Sequence, residues 1–347
     1  MKKYILALAL ALLSAFAVAD YKLIIPQSPG QGTSVWGSII AKELEKALGE
    51  KIVLVHIPGA NDIPGFNKFH NELQKDSKTI MLGHGGNGES YLIHQVDYEY
   101  RDYDPIGLQN LTIVVGHRKD SNPFDGVKFA YSSGTNPDML SITMMACGPK
   151  ARIEEYKKCY NEKVKYVKGM KGNERGLAYL RGELNVTRET PATYMKHYMK
   201  PEFVLWYSAG VLNLKTGKVV ADSYPVFEEV FKAKWGVYPS GEFYEMYLLV
   251  KHYRDVLQKS LWVSKNNPNT KALRQALTKM LTDPESVAAI EKETGKYLWL
   301  IGNDVSIALR KLEDLTTKKA LKNLVVWNST VFNQEAFYKE NIAKKAK

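Results

Sequence analysis

From Tyr21 to Gly88 the sequence alternates short apolar runs, glycine-rich turns and amphipathic stretches. YKLIIP (21–26) leads through Gln27-Ser28-Pro29-Gly30-Gln31-Gly32-Thr33-Ser34 into a segment from about Val35 to Leu48. Its Trp36, Ile39, Ile40, Leu44, Ala47 and Leu48 recur at helical spacing, and Gly49 ends it. KIVLVHI (51–57) starts the cycle again, followed by Pro58-Gly59-Ala60-Asn61 and a helix through about Gln74. Thr79–Leu82 is a third strand, closed by Gly83-His84-Gly85-Gly86-Asn87-Gly88. The alternation predicts an α/β fold with a parallel sheet and helices on both faces. Ligands in such folds bind outside the carboxyl ends of the strands, where these loops lie.

A second unit follows. Strands are predicted at Leu111–Gly116, Val127–Tyr131, Lys163–Val167 and Leu184–Thr187, with helices at Asp138–Ala146 and Gly172–Arg181. Ser132-Ser133-Gly134-Thr135-Asn136-Pro137 is its polar loop. Beyond about Asn269 the pattern is mostly helical, clearest at Lys271–Leu281 and Pro284–Thr294. Two such units without a flexible linker suggest two lobes facing a cleft. The expected division is 20–112 plus 262–347 for one lobe and 113–261 for the other. The chain is expected to cross near Leu108–Arg118, to return near Asp255–Ser264, and to pack its last helices on the first lobe.

The first nineteen residues, MKKYILALALALLSAFAVA, carry Lys2 and Lys3, an apolar run over Tyr4–Leu13 and a small-x-small site at Ala17-Val18-Ala19. This order is that of a secretory leader cleaved after Ala19, and it implies a periplasmic location. No later segment has 18 consecutive apolar residues. The leader removes two lysines, taking the formal charge from +11 to +9. The remaining Lys and Arg are scattered without a nucleic-acid-binding signature. The positive balance suits an anionic small ligand. An oxidising compartment favours a disulfide between Cys147 and Cys159. One continuous helix would hold them about 18 Å apart, so pairing needs the break that Gly148-Pro149 supplies.

Several segments together resemble one family. LIIPQSPGQGTSVWGSIIA (23–41) is similar to the first strand, glycine-rich loop and helix of the tripartite tricarboxylate transporter substrate-binding proteins, the Bug family. In order, His56-Ile57-Pro58-Gly59-Ala60, Tyr103-Asp104-Pro105-Ile106, FAYSSGT (129–135), Val167-Lys168-Gly169 and Thr282-Asp283-Pro284-Glu285 match its further motifs. Gln31 and Ser34 depart from its usual Gly and Asp, and Glu242–Lys259 departs from its pattern. The resemblance implies a two-lobed periplasmic-binding-protein-like fold of type II with the ligand cleft between lobes. It implies an exported, non-catalytic receptor that hands an organic anion, commonly a carboxylate, to membrane permease subunits; the chain is also expected to be a monomer without a cofactor.

A carboxylate leaving water needs replacement donors. Gly30, Gln31, Gly32, Thr33 and Ser34 offer backbone N–H groups and hydroxyls at a helix N-terminus. Gly83 and His84, and Ser132, Ser133, Gly134 and Thr135, occupy the corresponding loops. Arg188 follows the strand Leu184–Thr187 and carries a fork that binds carboxylates bidentately. Its alternative role is an internal pair with Glu189. Lys168, at another strand end, is a lesser candidate.

Other readings are a ligand sensor, or a receptor for an amino acid or an aromatic compound, for which Trp36 or Tyr91 would face the cleft. His84-Gly85-Gly86 is like an esterase oxyanion loop, but the sequence has no G-x-S-x-G elbow. Its seven histidines include no HExxH or H-x-H pair, which leaves a metal site without sequence support.

Overall fold

A computed structural model describes residues 20–339 apart from 125, 131–136, 168, 169, 171 and 334. The first strand, β1 (Tyr21–Ile25), sends Leu23 and Ile25 to one face of a sheet and Ile24 to the other, as a doubly covered strand must. Helix α1 (Gly32–Leu48) buries Trp36, Ile40 and Leu44 on the Leu23 face. Gly49 ends it at φ 73°, its N–H bonded to the Glu45 carbonyl. Next come β2 (Ile52–His56), α2 (Ile63–Asn71), β3 (Thr79–His84), α3 (Gly85–Ile93) and β4 (Tyr103–Asn110).

The chain then passes into a second set of elements. These are β5 (Val114–Arg118), β6 (Val127–Ala130), α4 (Pro137–Cys147), α5 (Ile153–Lys163), β7 (Val164–Val167), α6 (Gly172–Leu180), β8 (Val186–Glu189), α7 (Pro191–Tyr198) and β9 (Phe203–Ser208). A small hairpin, β10 (Val211–Leu212) with β11 (Val219–Val220), and α8 (Phe227–Trp235) follow. Helix α9 (Glu242–Val256) leads back to β12 (Lys259–Ser264), α10 (Thr270–Thr282), α11 (Pro284–Thr294), β13 (Leu298–Ile301), α12 (Asn303–Leu315) and α13 (Lys318–Val331).

The first sheet has the order β13-β4-β12-β3-β1-β2. It is mixed, where the sequence pattern predicts a parallel sheet. β1 is parallel to β2 and β3, whereas β12 runs antiparallel to both β3 and β4, and β13 antiparallel to β4. The reason is connectivity: β12 returns from the second set of elements and enters the sheet from its carboxyl edge. In the second lobe, β5 lies antiparallel between β8 and β9, and β6 pairs in parallel with β7.

Two further differences bear on function. Gly83–Gly88, which reads as a loop, is the end of β3 and the first turn of α3. Its glycines serve packing. A Cβ at Gly83 would lie 2.1 Å from the Ser260 hydroxyl, and one at Gly88 2.6 Å from the Tyr253 carbonyl oxygen of α9. The divergent Glu242–Lys259 segment is mostly α9, which buries Phe243, Met246, Tyr247 and Val250 and packs against α3, α4 and α13. α10 and α11 lie on α1, whereas α13 packs on α9 and α3.

In the second lobe, α4 stops at Cys147 because Gly148 takes φ 70°. α5 turns back, and Cys147 and Cys159 form a disulfide with their Cα atoms 5.9 Å apart.

Candidate functional site

Polar side chains gather at the carboxyl ends of β3 and β4, under the N-terminus of α1. Register sets their order. His84 of β3 lies opposite Lys259 of β12, Lys259 opposite Gln109 of β4, and Gln109 opposite Trp299 of β13. Lys259, Gln109 and Trp299 meet α1. The Lys259 ammonium donates to Thr33 Oγ1 at 2.8 Å, the Trp36 indole N–H donates to Gln109 Oε1 at 2.8 Å, and Trp36 stacks on Trp299.

Lys259 is 6% exposed, and no carboxylate lies within ion-pair distance of it among the described residues. Burial pushes its pKa down to about 7; Asp62 pulls the other way, and the like charge of Arg254 adds to the fall. Asp62 sits between β2 and α2 at φ 59°. Its Oδ2 is 2.8 Å from His84 Nδ1 and 3.3 Å from Gln27 Nε2. The Gly86 N–H donates to the same His84 nitrogen. Burial lowers the His84 pKa, and Lys259 beside it lowers it further.

Around this cluster lie the residues singled out from sequence. Gly30 holds φ 81°, and a Cβ there or at Gly32 would meet open space. Gln31 caps α1 without a side-chain bond to the helix, its Oε1 accepting instead from the Ser28 N–H. Thr33 and Ser34 are buried, Ser34 Oγ lying 2.8 Å from His56 Nε2. Gly83 is a packing glycine within β3, for the reason given above. Ser132, Ser133, Gly134, Thr135 and Lys168 lie outside the described residues. Trp36 and Tyr91 are both buried.

Arg188 stands in β8 with its Nε 3.0 Å from Asp138 Oδ2. Glu189, the expected internal partner, pairs with Arg175 at 3.4 Å. A backbone alternation explains the exchange: successive strand residues point to opposite faces, so Arg188 and Glu189 diverge. Asp138 also accepts from Arg254 Nη1 at 2.7 Å, and Arg254 Nε is 3.2 Å from Glu89 Oε1. These groups are almost fully buried, and burial pushes the Glu89 pKa up to about 8. The chain Glu89–Arg254–Asp138–Arg188 thus runs from α3 of the first lobe to α4 and β8 of the second.

Sequence reasoning missed Gln27, Asp62, Gln109, Lys259 and Asp138. Lys259 left a signal, since it opens the strand KSLWVS at a position on the same face as Leu261 and Val263. Among the described residues no group of His, Cys, Asp and Glu could hold a metal ion, and no helix is long and apolar enough to cross a membrane.

No protein-family model and no curated protein sequence matches the chain. Solved structures match it over most of its length. MatC from Rhodopseudomonas palustris with bound malate is 14% identical at a TM-score of 0.56, covering 91% of this chain and 100% of that one. The periplasmic binding protein BugD is 15% identical at 0.58, covering 93% and 100%. An R. palustris protein with adipate is 11% identical at 0.57, covering 88% and 98%. At these identities the likeness concerns architecture, and the chain has the two-lobed α/β fold of type II periplasmic binding proteins, with its cleft between the lobes.

Proposed function

We propose that this chain is a Bug-family receptor, exported to the periplasm, that captures a small organic carboxylate in the interlobe cleft and delivers it to the permease subunits of a tripartite tricarboxylate-type transporter. The observation that carries this reading is Lys259. A buried ammonium with one hydroxyl partner and no carboxylate in contact favours an anion beside it, since an unpaired buried charge is costly. Thr33, Ser34 and the amides of Gly30–Gly32 stand next to it at the start of a 17-residue helix, whose dipole adds to the attraction. The malate and adipate in the similar structures support the ligand class.

In this reading Arg188 meets the ligand from the second lobe. Asp138 steadies its Nε, and its two Nη groups form no hydrogen bond among the described residues. Arg188→Ala then weakens binding by roughly ten- to a hundredfold, the loss of one charge-assisted contact. Arg188→Lys restores part of it, because an ammonium lacks the planar fork. Unchanged affinity in both variants removes Arg188 from the site.

The test of the whole reading is a melting-temperature screen of the mature protein against mono-, di- and tricarboxylates, with neutral sugars and divalent metals as controls. A ligand that binds the folded state raises the midpoint by mass action. At least one carboxylate is expected to bind at micromolar affinity. Stabilisation by neutral compounds or metals alone would defeat the reading.

A further inference from the structure

A cavity of about 230 Å³ opens next to the polar row, between β4, β13, α10 and α11. Leu281, Val287, Ile290, Tyr297 and Trp299 form its apolar wall. It reaches the seam between the lobes: Gly295, in its wall, lies against Ala192 at the start of α7. The Tyr297 hydroxyl is near the Ala192 amide without completing a hydrogen bond.

Gln109 closes the inner end. It is 1% exposed, and its Oε1 is occupied by the Trp36 indole. That bond fixes the amide and leaves its NH₂ group, which has no hydrogen-bond partner among the described residues, in the cavity wall. The register partner of Gln109 on the neighbouring strand, about 4.8 Å away backbone to backbone, is Lys259, whose ammonium is turned to Thr33. Glu291 also lines the cavity. A carboxylate entering here is repelled by Glu291 and attracted by the Gln109 amide, which favours the orientation with its head at Gln109.

We infer that this cavity receives the apolar body of the ligand, and that the receptor's substrates are monocarboxylates carrying one ring or a short branched chain. The inference rests on the carboxylate reading above and narrows it. The size fits: an apolar cavity of about 150 Å³ already admits benzene. The chemistry fits as well, since Leu281, Val287, Ile290 and the rings of Tyr297 and Trp299 surround the body while the Gln109 amide donates to the head, with Lys259 on the neighbouring strand. A second or third carboxylate would meet Glu291 and the apolar Leu281, Val287 and Ile290 with no cationic side chain in the lining to pair with.

Calorimetric titration with benzoate, cyclohexanecarboxylate, acetate and malate tests this. Each methylene buried is worth roughly fourfold in affinity. Benzoate and cyclohexanecarboxylate should therefore bind at least about tenfold more tightly than acetate or malate. Val287→Phe fills the cavity from a half-buried wall position. It should weaken benzoate by about tenfold or more and leave acetate unchanged. Leu281→Phe fills the same space from α10 and serves if the first variant does not fold. Malate binding as tightly as benzoate, with neither variant altering benzoate, overturns the inference and leaves the carboxylate reading standing. Failure of all four acids, with neutral compounds binding instead, overturns both.

Discussion

At the residue scale Lys259 makes the sharpest prediction, because its proton and the ligand are linked. Burial holds its pKa to about 7 in the free protein, and a bound anion restores the charged form. Binding at pH 8 should therefore take up a proton, and affinity should fall as pH rises above about 7, by at most tenfold per unit. Calorimetry in two buffers of different ionisation heat measures the uptake. Lys259→Met should abolish it and weaken binding roughly ten- to a hundredfold. The free protein carries the complementary sign. Between about 7 and the ordinary lysine value the unfolded chain holds the extra proton, so this residue makes stability rise with pH through that window. Glycines offer a second contrast. Gly30→Ala meets no neighbour and suffers only backbone strain at φ 81°, of about 1–2 kcal/mol. Gly88→Ala gains helix propensity of about 1 kcal/mol, yet its Cβ would press on the Tyr253 carbonyl at 2.6 Å. Urea denaturation should show Gly88→Ala destabilised in spite of that gain.

Among the elements, α4 concentrates the structural risk. Its first turn holds Asp138 between Arg254 and Arg188, and its last residue is Cys147. Asp138→Asn removes the carboxylate shared by two buried or nearly buried guanidinium groups. Breaking such a pair costs about 3–5 kcal/mol, read as a lower denaturation midpoint. Removing the disulfide through Cys147→Ala with Cys159→Ala opens a short loop and should cost about 2–3 kcal/mol. The elements were largely legible in the sequence where periodicity and stop signals agree, as in α1, α10 and α11. They were not legible where packing overrides local preference. Gly85–Ile93 is helical although its glycines disfavour a helix, because close seating on α9 more than compensates. Strand direction was hidden too, since apolar alternation is the same in parallel and antiparallel strands. The first-lobe loop at Gly30–Ser34 was visible as a glycine-rich turn before a helix. Its buried partners were not, because Asp62 and Lys259 come from distant segments that no local pattern joins to the loop.

For the whole molecule, the expectation is closure. Ligand held between donors of both lobes should draw them together, and small-angle scattering with saturating benzoate should give a smaller radius of gyration than the free protein. An unchanged radius would mean the cleft is already closed without ligand. The way the lobes can move is constrained by α9. Gly88 seats α3 on the Tyr253 carbonyl of its backbone and Gly85 packs against Arg254 and Gln258, so along that flank the helix and the first lobe are closely fastened. The other flank meets α4, whose buried residues include Met139, Met144 and Met145. Unbranched thioether chains change rotamer easily and refill irregular gaps. The molecule thus has a weld on one side of α9 and a compliant bearing on the other, and relative motion of the lobes should be taken up by methionines that re-pack while the glycine joint stays still.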